Sequence, residues 1–98
     1  MIHKIVAIYD VKAEAYLKPI FVQSNGVAIR SFAEAVNDGQ SDFSKHPEDY
    51  SMFALGSFDD STGFFDLDVK SKKQIAHAMD LVHREEPSPT PLKQVNKT

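Results

Sequence analysis

Apolar and polar positions alternate along this chain with two different periods, and the changes of period divide it into elements. Ile5-Val6-Ala7-Ile8-Tyr9 is a continuous apolar run inside Ile2 to Asp10. It is too continuous for a half-exposed edge, so it predicts a strand at the centre of a sheet. A polar connection, Asp10 to Glu14, follows. Tyr16-Leu17 and Ile20-Phe21-Val22 form a second strand candidate within Ala15 to Gln23, interrupted by Pro19. Proline has no N–H for the ladder, so this strand lies at an edge, is bulged, or starts after Pro19.

The period then lengthens. Ile29, Phe32, Ala33 and Val36 fall at i, i+3, i+4 and i+7, the apolar stripe of a helix. Ser24 or Asn25 can cap its start, and Asn37-Asp38-Gly39 supplies its stop. Gln40 to Tyr50 reads as a polar loop with His46-Pro47 at its centre. From Ser51 to Val69 the pattern is a hairpin. Phe53 and Leu55 alternate on one arm, Phe65, Leu67 and Val69 on the other, and Asp59-Asp60-Ser61-Thr62-Gly63 forms the turn. Asp66 and Asp68 fall on the face opposite Phe65 and Leu67. Ser71 with Gln74 makes a capping box for a second helix whose stripe is Ile75, Ala78, Met79 and Val82.

After Glu85-Glu86, the segment Pro87-Ser88-Pro89-Thr90-Pro91 cannot continue a helix. The predicted order is β-β-α-β-β-α: an α+β domain over residues 1–86, with a Pro-rich, disordered C-terminal tail at 87–98. The simplest packing is an antiparallel four-stranded sheet with both helices on one face. Such a sheet keeps one face uncovered and an edge open, so self-association, most simply as a dimer, is expected.

Composition narrows the function classes. The 98 residues suffice for one domain, and 42% hydrophobic with 26% charged residues is a globular balance. There is no Cys, which removes disulfides, thiolate metal sites and a cysteine nucleophile. The apolar run Ile5 to Tyr9 is far short of the ~20 residues that span a bilayer, so no membrane partner is expected. Met1-Ile2-His3-Lys4 leads straight into it, without the apolar stretch of a signal peptide.

The net charge of −3 argues against an all-round basic surface for nucleic acid. It hides a split, however. From Glu34 to Asp68 nine acids face Lys45 alone, a net of −8, while the rest of the chain holds ten bases and five acids, a net of +5.

Catalytic and cofactor patterns are missing from the sequence. His3, His46, His77 and His83 include no i, i+4 pair, so a metal site would need assembly across the fold. Asp59 to Gly63 lacks the alternating ligands and the closing Glu of a calcium loop, and a turn explains it better. No nucleophile elbow and no Gly-rich phosphate cradle is present. The chain is therefore expected to bind rather than catalyse, without a cofactor or metal.

Four blocks carry a family resemblance: Tyr9-Asp10-Val11-Lys12-Ala13-Glu14-Ala15-Tyr16; Gly26-Val27-Ala28-Ile29-Arg30-Ser31-Phe32 with Ala35-Val36-Asn37-Asp38; Phe43-Ser44-Lys45-His46-Pro47-Glu48-Asp49-Tyr50; and Phe53-Ala54-Leu55-Gly56-Ser57-Phe58-Asp59-Asp60 closing with Thr62-Gly63. In this order and spacing they resemble the small nonstructural protein of gokushovirus-type single-stranded DNA phages (Microviridae), over Met1 to Leu67. The resemblance implies a nonstructural protein made in the host bacterial cytoplasm. It also implies DNA binding, or action at the switch from duplex replication to single-strand synthesis and packaging.

Two readings follow. In the first, a DNA-associated regulator contacts phosphates through Lys4, Lys12, Lys18 and Arg30, with Tyr9 and Tyr16 as stacking candidates. The cluster Lys70, Lys72 and Lys73 reads as a solvated face at a helix start. In the second, a dimeric adaptor meets a basic replication or assembly protein through Asp42, Glu48, Asp49, Asp59 and Asp60. Bases gathered on one face favour the first; bases mixed with acids favour the second.

Overall fold

The computed structural model describes residues 1–68, 70 and 72–83. The expected tail, the end of the 1–86 domain, and Val69 and Ser71 lie outside the described residues. Among the described residues, no helix is long and apolar enough to cross a membrane.

The central pair is β1 (Ile2–Asp10) and β4 (Tyr50–Asp59), antiparallel from Ile2 opposite Asp59 to Asp10 opposite Tyr50. On the outer side of β1 lie β2 (Ala15–Tyr16), with Tyr16 opposite Tyr9, and β3 (Ile20–Val22), with Phe21 opposite Ile5. They are two pieces of one antiparallel lane, broken where Pro19 removes a donor. The turn into it is built by Asp10, whose Oδ1 accepts from the N–H groups of Lys12 (3.0 Å) and Ala13 (3.3 Å). On the outer side of β4 lie β5 (Phe64–Leu67) and β6 (Lys73–His77), again in one lane.

The expected four strands are therefore corrected to six among the described residues, in a sheet of four lanes with both outer lanes interrupted. The expected second helix is corrected as well. β5 covers β4 only from Gly56 to Asp59, which leaves the backbone groups of Ser51 to Ala54 on the side away from β1 without a partner. Lys73 to His77 supplies it as a strand, and a ladder closed on an existing edge outcompetes an isolated helix with a costly nucleus. Of the expected second helix, only Ala78–Leu81 is helical among the described residues (α3), and of the predicted stripe Met79 is exposed.

The long helix α1 (Asn25–Val36) forms where its stripe predicts. Ser24 is the cap, its Oγ accepting from Val27 N–H at 3.2 Å, and Gly39 takes the left-handed backbone after the end (φ 78°). Ala28, Phe32 and Val36 are buried against Val6, Tyr50, Met52 and Ala78 in a single core on one face of the sheet. Asn37 ties this layer to the end of the described chain: its Nδ2 donates to Ala33 O (2.7 Å) and Leu81 O (2.9 Å), and its Oδ1 accepts from His83 N–H (2.8 Å). The expected loop 40–50 contains two short turns, α2 (Asp42–Lys45), capped by Ser41, and a 3-10 turn over Pro47–Asp49. Phe43 stands edge-on between Phe32 (5.4 Å) and Tyr50 (4.8 Å), which anchors that segment.

A bulge decides which side chains share a face. Ile5 opposes Gly56 but Val6 opposes Ala54, so Leu55 is an extra residue in β4. Phe53 and Phe58, an odd number of positions apart, thereby project from the same side of the sheet. The bulge needs Gly56: its φ is 150°, and a Cβ there would overlap the carbonyl oxygen of Asp66 and lie 2.8 Å from Leu67 Cα. Gly56→Ala is expected to cost about 2–3 kcal/mol through overpacking and strain. Thermal or urea unfolding reads this directly, and an unchanged midpoint would contradict the assigned bulge.

At the hairpin end the Met1 ammonium meets Asp60 Oδ1 at 2.7 Å and His3 Nε2 meets Asp60 Oδ2 at 2.8 Å. Hydrogen bonds from both hold the Asp60 carboxyl below its ordinary range, and the same Asp60 contact raises the ammonium above its own. The depressed acid contributes stability above the ordinary carboxylate range, lost as pH falls through its lowered value. The raised amine contributes stability below about pH 8, lost as pH rises through its raised value. Melting temperature is thus expected to hold from about pH 5 to 8 and to fall on either side, and Asp60→Asn is expected to lessen both falls.

Candidate nucleic-acid interface

The face opposite the helices is the unusual one. On it lie His3, Ile5, Ala7 and Tyr9 of β1, with their register partners Phe58, Phe21, Phe53 and Tyr16. Among the described residues no helix covers this side, yet Ile5 and Ala7 are only 4% and 3% exposed. Their cross-strand neighbours are aromatic, and such rings lie down over small central residues. The rings form two groups. At one end Phe58 stacks on Phe21 (5.5 Å) and leans on Phe65 (4.8 Å), with the His3 ring 6.3 Å away. At the other end Tyr16 stands edge-on to Tyr9 (4.8 Å) and stacks on Phe53 (5.7 Å), while Lys72 Nζ sits 5.2 Å from the Tyr16 ring centre. Phe21 and Phe65 remain 50% and 56% exposed.

Tyr9 and Tyr16 are thus brought together as a pair. The four expected phosphate contacts are not. Lys4 projects to the helix side, where it lines a polar cavity of about 300 Å³ with Asn25, Ser57, Asp66, Asp68 and Lys73. Lys12 lines a second depression of about 430 Å³ among Asp10, Asp42, Glu48 and Asp49. Lys18 lies in the break between β2 and β3, and Arg30 is exposed on α1. Bases and acids are mixed in both cavities.

Of the acidic set, Asp42, Glu48 and Asp49 share the depression with Asp10, His46 and Tyr50. Burial, and then the charges of Asp10, Asp42 and Asp49, push the Tyr50 hydroxyl above its ordinary range. Donor atoms of His46, Glu48 and Asp49 lie within 4.8 Å of one another, a local grouping across Pro47 with His46 and Glu48 exposed. Asp59 and Asp60 sit at the far end of β4, ten residues or roughly 30 Å from Asp49. There Asp59 Oδ1 accepts from Ser61 N–H (2.9 Å) and Asp60 clamps the N-terminus. They belong to the turn, not to the acidic depression.

Alternation in the sequence places Phe53 and Phe65 in the core. They do share a face, but it is the uncovered one: alternation cannot show which side the helix packs on, and α1 covers the side of Val6 and Met52. Lys72, read as part of a solvated cluster, becomes the cation beside Tyr16 once Lys73 to His77 is a strand. No one-dimensional signal marks it.

A family model described as Phage ORF5 protein matches residues 3–81. Comparison with curated proteins and with solved structures gives no match. The match takes in every strand and helix described above from His3 onward, and on it the chain belongs to the Phage ORF5 protein family.

Proposed function

We propose that this phage protein is a nonstructural, DNA-associated regulator of viral genome replication, or of the switch to single-strand synthesis and packaging, acting in the host bacterial cytoplasm. The gokushovirus-type resemblance of Met1 to Leu67 agrees with this role. The observation that carries it is the uncovered sheet face, with its two aromatic groups and Lys72 over Tyr16. Unpaired bases present flat apolar faces to such rings, and stacking tolerates any sequence. A duplex hides those faces, so the reading is specific to single strands. It is also a binding role rather than a catalytic one.

The scattered lysines alter the mechanism from the one the sequence favours. Lys72 is the cation at the rings, so few phosphates are neutralised and stacking supplies most of the affinity. With one or two phosphate contacts the logarithm of the affinity is expected to fall with log salt at a slope of about −1. In a fluorescence titration against an unstructured DNA oligonucleotide, Tyr16→Ala and Phe21→Ala are each expected to weaken binding about tenfold. Lys4→Ala and Lys12→Ala should leave it unchanged. Absence of binding at low salt, or equal binding of a blunt duplex, sinks this reading.

A second reading, which the mixing of bases with acids favours, rests on Asp10 joining Asp42, Glu48 and Asp49 around one depression. Such a surface suits a basic segment of a DNA-packing or replication protein. Charge reversal at Glu48 and Asp49 together is expected to abolish capture of a synthetic Arg- and Lys-rich peptide while the oligonucleotide titration stays as it was. Unchanged peptide capture would remove the adaptor reading.

A further inference from the structure

One outer lane of the sheet begins with β5, and its four residues, Phe64-Phe65-Asp66-Leu67, are exposed on both faces. Phe64 is 75% exposed and Leu67 49%. Among the described residues β5 pairs with β4 alone, so the backbone groups on its outer side have no ladder partner. An exposed apolar edge with a row of unpaired N–H and C=O groups is a template for another strand. The opposite edge is protected differently, by Lys18 and Pro19 between β2 and β3.

We propose that the partner is a second copy of this chain, its β5 pairing antiparallel with β5 across a twofold axis perpendicular to the sheet. Free N–H and C=O groups in a row call for a strand, which nucleic acid cannot supply. The contact is isologous, so each residue must face a residue from the same side of the sheet. Only two registers centred on this strand satisfy that. One sets Asp66 against Asp66, like charges directly opposed, which is destabilising. The other sets Phe65 against Phe65 and Phe64 against Asp66, and this is the register the sequence permits.

In that register the Phe65 rings of the two copies are neighbours, each already leaning on its own Phe58, which in turn stacks on Phe21. The uncovered faces of both copies then lie on one side as a single aromatic surface. Nearby charges do not oppose the approach. Asp60 is engaged by the Met1 ammonium and His3, and Asp66 shares its cavity with Lys4 and Lys73.

The absence of cysteine makes the test clean. Directly opposed residues of an antiparallel ladder have Cα atoms about 4.5–5.5 Å apart, within disulfide reach. Under mild oxidation Phe65→Cys is expected to convert most of the chain to a disulfide-linked dimer. Leu67→Cys, which would stand four residues or roughly 13 Å from its counterpart, should stay uncrosslinked, as should Ile20→Cys on the other edge. The unsubstituted chain should sediment as a dimer at tens of micromolar. A monomer at every concentration, or equal crosslinking at all three positions, overturns the proposal. A monomer that still binds the oligonucleotide overturns it while leaving the DNA reading intact.

Discussion

Everything in this fold hangs on the ladder between β1 and β4. All nine residues of β1 find partners on β4, from Ile2 opposite Asp59 to Asp10 opposite Tyr50. Each of the other four strands pairs with one of these two and with nothing else described. The helical layer reaches the sheet through the same pair, with Val6 and Met52 under Ala28, Phe32 and Val36. A small domain buries too little surface to tolerate a second independent core, so loss of register between these strands would dissolve both faces at once.

The two faces meet the demand for burial differently. On one, a twelve-residue helix supplies the cover, trimmed at each end by side-chain caps. On the other, the sheet covers itself: aromatic rings on the strands to either side of β1 shield its Ile5 and Ala7. Self-cover of this kind is cheap in chain length. It leaves ring faces and edges toward water, which is the property a stacking surface requires. The same economy explains why the charged residues contribute so little to that face. Lys4 and Lys73 line a cavity with Asp66 and Asp68 on the helix side, and Lys12 stands among four acids at the loop end.

Much of the architecture is legible in the sequence because it rests on local pattern. Ile5 to Tyr9 reads as a central strand, and Ile29, Phe32, Ala33 and Val36 read as a helix with Ser24 before it and Gly39 after it. Each of those signals lies within one element. What escapes is whatever depends on a neighbour's edge. Lys73 to His77 carries helical spacing, yet an open stretch of β4 recruits it as a strand, and no property of those five residues announces that. The site follows the same division. Tyr9 and Tyr16 are readable because a short turn joins them. Phe53, Phe65 and Lys72 become part of the surface only through pairings between distant segments, and Lys4, Lys12, Lys18 and Arg30 are dispersed by the same pairings.

The extra residue at Leu55 has a consequence for how sequences of this family tolerate change. A strand stores the assignment of its side chains to one face or the other as a parity, and every residue beyond an inserted position inherits the flipped value. Phe58, Phe65 and the rings they touch share a side with Phe53 and Tyr16 only because Leu55 restores that parity between them. Loss of a single codon there would leave strand length, hydrophobic content and overall charge almost untouched. It would nonetheless send one aromatic group toward the helix and strand the other alone, so related chains should accept substitutions along β4 far more readily than a frame-preserving deletion within it.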